Sequence, residues 1–262
     1  MRIILTKDFP EMSQEAAAVV KNRLETKPDL VLGLATGSTP IGLYQELVRL
    51  YKKEGLSFAK VRTFNLDEYI GLEPDHPQSY HYFMNQHLFR QVDIPKENVH
   101  IPDGLTPNPE KFCQWYEDEI EKVGGIDLQV VGIGGDGHIA FNEPGSSLAS
   151  RTRVKTLDEQ TIKDNSRFFQ NVNEVPRFAI TMGIGTIMEA KEILFIASGK
   201  GKAEIVAKAL EGAVTSLITA SILQIHPKVV VIIDEDAATC LQRKDYYKYA
   251  EEQARRFEKS IH

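Results

Sequence analysis

The chain has 262 residues, 42% apolar and 26% charged, with a formal net charge of −6. That size and mix suit one large α/β domain or two small ones with an ample core. The absence of a basic block excludes a general nucleic-acid footprint, and no apolar run approaches a membrane span.

The opening MRIILTKDFP carries too short an apolar run for a signal peptide. Cys113 and Cys240 lie far apart in no metal-like spacing and read as free thiols in a reducing compartment. A cytoplasmic protein is expected. In chain order, residues 2–5 (RIIL) read as a strand and 12–25 as a helix of good helix formers. Residues 30–35 (LVLGLA) read as a buried strand, and 41–55 as a helix with Leu43, Tyr44, Leu47, Val48 and Tyr51 on one stripe and a closing glycine. A strand follows at 61–66, a helix at 79–89, and a stronger helix at 109–124 that opens at Pro109. Residues 127–134 form the next strand. A polar strand at 151–156 falls outside the main sheet. Strands at 177–183 and 192–198, a helix at 202–212, a buried strand at 228–234 and a charged helix at 246–261 complete the chain.

Strands that are apolar throughout and alternate with helices predict an α/β fold. Its sheet is mostly parallel, with helices on both faces in three layers. Ligands in such folds bind beyond the carboxyl ends of the strands, so four strand ends matter. In LATGSTPIGLY (34–44) a strand runs into Gly37, Ser38 and Thr39, and Pro40 opens a helix. Free N–H groups, two hydroxyls and the positive helix end suit a phosphate, although an ordinary capped turn has the same letters. There is no Walker lysine, so a nucleoside triphosphate is not expected. SGKGKAEIVAKAL (198–210) repeats the pattern with Lys200 and Lys202 at the turn, which suggests one phosphate held from two sides. In TFNLDEYIGL (63–72) the strand ends in Asp67 and Glu68; strand alternation lets one of them face the site as a general base.

The fourth end, GIGGDGHIAFNEPGS (132–146), contains G-x-G-x-x-G at Gly132, Gly134 and Gly137. A dinucleotide loop needs a long helix after its glycines. Here Pro144-Gly145 arrives within seven residues, and Asp136 would repel a pyrophosphate. Asp158 has the spacing of a ribose-binding acid but follows a polar run. The informative letters are Asp136, His138 and Glu143: an imidazole between two carboxylates is held in orientation and favoured in its protonated form. Metal binding competes with this reading, but no second histidine lies at ligand spacing.

Together GIGGDGHIAFNEPGSSLASRTR, FNLDEY with HPQSY, LATGSTP, SRFF, VPRFAITMGIGTI and LQIHPK resemble the glucosamine-6-phosphate deaminases, the glucosamine/galactosamine-6-phosphate isomerase family. The resemblance runs from Leu34 to about Asp234 and implies a modified Rossmann-like single domain. It implies an aldose–ketose isomerisation coupled to loss of ammonia, glucosamine 6-phosphate becoming fructose 6-phosphate, with neither a nucleotide cofactor nor a catalytic metal. Asp67 is then the general base, ionised at neutral pH if its pKa is the ordinary ~3.9. His138 assists ring opening, with Asp136 and Glu143 tuning it. Gly37, Ser38, Thr39, Arg167 and Lys202 hold the phosphate. Residues 153–181 correspond to a mobile lid. Some members are hexamers activated by N-acetylglucosamine 6-phosphate; Ser146, Arg153 and Lys155 match that effector site. Activated members also use a tyrosine near the C-terminus; this tail has Tyr246, Tyr247 and Tyr249, but Lys248 stands at the favoured position. The nearest alternatives are a 6-phosphogluconolactonase of the same fold, in which a different continuation than IAFNEP would follow the histidine, and a non-catalytic sugar-phosphate sensor.

Overall fold

A computed structural model describes residues 1–166, 169 and 171–260. Among them the chain forms β1 (Arg2–Thr6), α1 (Phe9–Thr26), β2 (Val31–Leu34), α2 (Pro40–Glu54), β3 (Arg62–Asn65) and β4 (Asp67–Tyr69). There follow α3 (Tyr80–His87), β5 (Val99–His100), α4 (Pro109–Lys122), β6 (Leu128–Val131), β7 (Arg153–Thr156) and α5 (Glu159–Ser166). The chain ends with β8 (Phe178–Thr181), α6 (Ile184–Met188), β9 (Ile193–Ala197), α7 (Ala203–Glu211), β10 (Val229–Asp234) and α8 (Lys244–Ser260). Local chemistry sets several boundaries. Asp8 and Asn108 accept the N–H groups of Glu11 and Lys111 and so start α1 and α4, and Gly55 stops α2 in the left-handed region at φ 74°.

Seven strands form one parallel sheet in the order β1-β10-β9-β6-β2-β3-β5. Alternate residues of each strand enter opposite cores, as period-two geometry requires. Val229, Val231 and Ile233 of β10 pack with α4, α6 and α7, whereas Val230 and Ile232 pack with α1, α2 and α3. Both faces are covered, which is why the central strands are apolar throughout. None of the described helices is long and apolar enough to cross a membrane.

One close approach has a measurable consequence. Gly33 of β2 lies opposite Gln129 of β6, and a Cβ there would overlap the Gln129 side chain. Gly33→Ala is expected to lose about 1–3 kcal/mol of stability through overpacking. The check is a shifted denaturant midpoint at unchanged slope.

A smaller antiparallel sheet, β4-β8-β7, packs beside the main one. Residues 151–156 were expected outside the main sheet and contribute β7 to this one. The strand expected at 177–183 is present as β8 but also belongs here: Phe178 at its start is exposed and β7 alternates half-buried with exposed positions, unlike the fully buried β9 and β10. The strand read as continuous through Glu68 is broken. β3 stops at Asn65, Leu66 donates its N–H to the Leu34 carbonyl and accepts from Met182 N, and β4 then starts in the second sheet.

Candidate active site

The order of the main sheet locates the site. From β2 the chain moves outward through β3 and β5; from β6 it moves the other way through β9 and β10. The crevice at such a reversal, beyond the carboxyl ends of the strands, is where a ligand fits. A cleft of about 250 Å³ opens there, lined at its two sides by Gly37, Ser38 and Thr39 after β2 and by Gly132, Gly134 and His138 after β6, with Asp67, Asn165 and Lys202 completing it.

The three glycines are accounted for individually. Gly137 takes φ 95°, which a side chain would strain, and a Cβ there would also meet Ile218 and Ile205. A Cβ on Gly134 would overlap Nε2, Cε1 and Cδ2 of His138, so only glycine leaves room for that ring. Gly132 is open and lines the cleft. No long helix follows them, in keeping with the reading against a dinucleotide loop.

His138 Nδ1 lies 2.7 Å from Asp136 Oδ1 and 3.4 Å from Glu143 Oε2. Neither contact is aligned as a hydrogen bond, so Nδ1 and Glu143 Oε2 remain buried without a formal partner and charge holds the group together. Burial disfavours the imidazolium, but the two carboxylates outweigh it and push His138 up to about 9; Asp136 is correspondingly held low. The ligand atoms of the three side chains all lie within 4.8 Å of one another, a spacing that a metal ion could also use.

Asp67 and Glu68 point to opposite sides of β4, as strand alternation predicts: Asp67 lines the cleft, and Glu68 turns to α3. The expectation that Asp67 is ionised at neutral pH is corrected. It is buried, and desolvation, reinforced by the charge of Glu68, pushes it up to about 8, with His138 pulling the other way.

At the turn into α2 Gly37 has φ 103° and Thr39 precedes α2 without capping it through its hydroxyl. The second anion turn differs from expectation. Asp234 already accepts from Ser198 Oγ, Gly199 N and Ala237 N, so its own carboxylate fills the place a phosphate would take. Lys202 nonetheless lines the cleft, whereas Lys200 is exposed outside its lining. Arg167 lies outside the described residues.

Within the segment matched to a lid, β7 and β8 are paired strands, and α5 lies between them. Asn165 of α5 lines the cleft and donates to the Tyr69 hydroxyl at 2.9 Å. Of the effector candidates, Ser146 is buried and donates to the Glu143 carbonyl at 2.6 Å. Arg153 donates to Asn142 Oδ1 at 2.9 Å, and Lys155 is the next residue but one along β7. A larger cleft of about 820 Å³ beside α4 takes in Arg153 but not Ser146 or Lys155. Its wall includes Cys113, whose thiol burial pushes up to about 11; Cys240 is exposed. Tyr247 donates to Glu211, Lys248 pairs with Glu235, and Tyr246 and Tyr249 are exposed.

Sequence reasoning missed Asn165 and also Asn142. The latter is fully buried and donates to the carbonyls of Ile139 and Met182, tying the loop that carries Asp136, His138 and Glu143 to the end of β8. Thr181 and Thr219 add bonds to Phe141 N and Ile139 N. Polar residues at such positions carry no periodic signal; only the fold brings their partners together.

Comparison with known proteins gives the family and the fold. The family profile described as glucosamine-6-phosphate isomerases/6-phosphogluconolactonase matches residues 9–232. The glucosamine-6-phosphate deaminase of Thermoanaerobacter pseudethanolicus is 54% identical over 245 residues, 94% of this chain and 97% of the relative. That of Shewanella woodyi is 51% identical over 251 residues, 96% and 95% of the two chains. The solved structure of a monomeric glucosamine-6-phosphate deaminase superposes with a TM-score of 0.90 at 46% identity, covering 92% of this chain and all of that one. A 6-phosphogluconolactonase from Trypanosoma cruzi shares the fold, with a TM-score of 0.72 at 22% identity over 92% of this chain and 97% of its own. The chain belongs to the glucosamine-6-phosphate isomerase/6-phosphogluconolactonase family.

Proposed function

We propose that the protein converts glucosamine 6-phosphate and water to fructose 6-phosphate and ammonia. The observation that carries this reading is one cleft lined at once by a buried carboxylate, an imidazole between two carboxylates, and a helix-start turn with a lysine. Phosphate binds at Gly37, Ser38, Thr39 and Lys202, with Arg167 expected to join them. His138 transfers a proton at the ring oxygen and the pyranose opens to an aldehyde. Asp67 removes the C2 proton as O1 of the aldehyde gains a proton from the substrate's ammonium, giving an enolamine; return of the carried proton at C1 leaves a hydroxymethyl group at C1 and an iminium at C2. Water adds there and ammonia leaves with the remaining proton, as ammonium, so atoms and charge balance. The raised proton affinity of Asp67 fits this order: a substrate that brings an ammonium to the site favours the carboxylate as it binds.

The identity of the relatives and the placing of Glu143 beside His138 favour this reading over lactone hydrolysis. Purified protein is expected to release ammonia and fructose 6-phosphate from glucosamine 6-phosphate, with or without a chelator and without added nucleotide. Turnover of 6-phosphogluconolactone in its place would overturn the reading, and loss of activity with the chelator would move Asp136, His138 and Glu143 to a metal role. Running the assay with N-acetylglucosamine 6-phosphate tests the regulatory part. Activation that is lost on changing Arg153 or Lys155 supports an effector anion at Ser146, Arg153 and Lys155. A cytoplasmic location, an assembly of several copies and movement of residues 153–181 as a lid belong to the same reading.

A further inference from the structure

Glu68 is buried directly behind the base and has no part in the steps above. Its Oε1 accepts from Tyr69 N at 2.8 Å and Tyr80 N at 3.0 Å; its Oε2 accepts from His81 N and contacts His81 Nδ1, both at 2.9 Å. The His81 ring carries its proton on Nδ1 if it bonds this oxygen. Tyr80 and His81 are the first two residues of α3, and Ser79 caps the third N–H, that of Tyr82. The opening turn of α3 is thus held by the side chain that follows Asp67 in sequence. A neutral glutamine would turn a donor toward one of these N–H groups, so the arrangement is shaped for an acceptor on both arms.

We propose that Glu68 is a positioning residue for the reaction: by accepting the first turn of α3 it anchors β4, and it holds a fixed negative charge behind Asp67 that strengthens the base. The inference rests on the reading of Asp67 as the base. The other groups that act on Asp67 are accounted for. His138 faces it from the catalytic loop with Asp136 and Glu143 behind, and Lys202 lines the same cleft. Tyr69, Tyr80 and Tyr116 surround it, their hydroxyls pushed above the ordinary tyrosine value by burial and further by Asp67 itself. Among these groups Glu68 is the carboxylate whose repulsion raises Asp67. The charge it adds is secured by backbone N–H groups and so does not depend on a mobile cation.

The test is the pH profile of kcat/KM for the wild type, Glu68→Gln and His81→Lys. Ionisations of the substrate are common to all three, so differences between profiles belong to the enzyme. Glu68→Gln removes the rear charge, and His81→Lys keeps Glu68 but sets a permanent cation on it. Both are expected to move the acidic limb to lower pH, by about half a unit or more, and to lower kcat at the alkaline plateau several-fold while changing KM little. A merely structural role would lower the melting temperature and leave the limb in place. A limb within about 0.2 unit of wild type in both variants would overturn the proposal. If Glu68→Gln does not fold, His81→Lys alone decides it by the same criterion. The base reading fails separately, through undiminished turnover by Asp67→Asn; an unmoved limb beside an inactive Asp67→Asn removes only the role of Glu68.

Discussion

Asp67→Asn is expected to lower kcat by about two to four orders of magnitude while leaving the binding of substrate or product within a few-fold, since a general acid–base group contributes about 10²–10⁴ and the other carboxylate of β4, Glu68, turns away from the cleft. Equal loss in binding and turnover would assign Asp67 to holding the sugar and not to proton transfer. The wild-type profile should show the base directly: kcat/KM rises with pH as Asp67 loses its proton near 8 in the free enzyme. Stability carries the opposite sign. The folded state raises Asp67 above its unfolded value of 3.8, so its contribution is present in full below 3.8 and is lost as pH climbs to about 8. Asp67→Asn carries no such dependence. Its melting temperature relative to wild type is therefore expected to improve between pH 4 and 8 and then level off, and a constant difference across that range would contradict the buried carboxyl.

Gly134→Ala is expected to be the most damaging single-methyl change in the site. Gly134 has an ordinary φ, so alanine meets no backbone penalty, but its Cβ would occupy the space of the His138 ring. The imidazole must move off its seat and away from Asp136 and Glu143. A displacement of about 1 Å at a catalytic group can cost about 10²-fold, and a loss of that size with a folded protein is the expected result. The ring protons of His138 should shift in the NMR spectrum, and its titration should fall from about 9 toward the ordinary histidine value as the carboxylate contacts lengthen. Full activity with an unmoved ring would show that the loop yields where it is drawn tight.

The parts of the fold legible in the sequence were those written in periodicity. β9 and β10 are unbroken apolar runs, α2 has a clear stripe between proline and glycine, and each appears where expected. The small sheet was half legible. The polar alternation of Arg153–Thr156 set β7 apart, but β4 is three residues long and continues, letter for letter, from an apolar strand, so nothing local marks the break at Leu66. In the site, Asp136, His138 and Glu143 were close in sequence, and the fold keeps them together. The chemistry of Asp67 was less legible, because its proton affinity comes from burial under residues far along the chain. The turn at residues 198–202 was legible only in part: Asp234, thirty-odd residues later, accepts from Ser198 Oγ and Gly199 N, while Lys202 lines the cleft.

The break at Leu66 also divides labour within the molecule. The turn at residues 37–39 and Lys202 follow strands of the large sheet, while Asp67 stands on the small one, and Asn142 and Thr181 fasten the loop of Asp136, His138 and Glu143 to the β8 end of that small sheet. On the proposed reading, a bound sugar phosphate bridges two bodies, held at its phosphate by one and met at C1 and C2 by the other. On that reading the length of the carbon chain becomes a gauge: the step from one sheet to the other, made at a residue that bonds the end of β2 and the end of β8, spaces the group that holds the phosphate from the group that acts at C1 and C2.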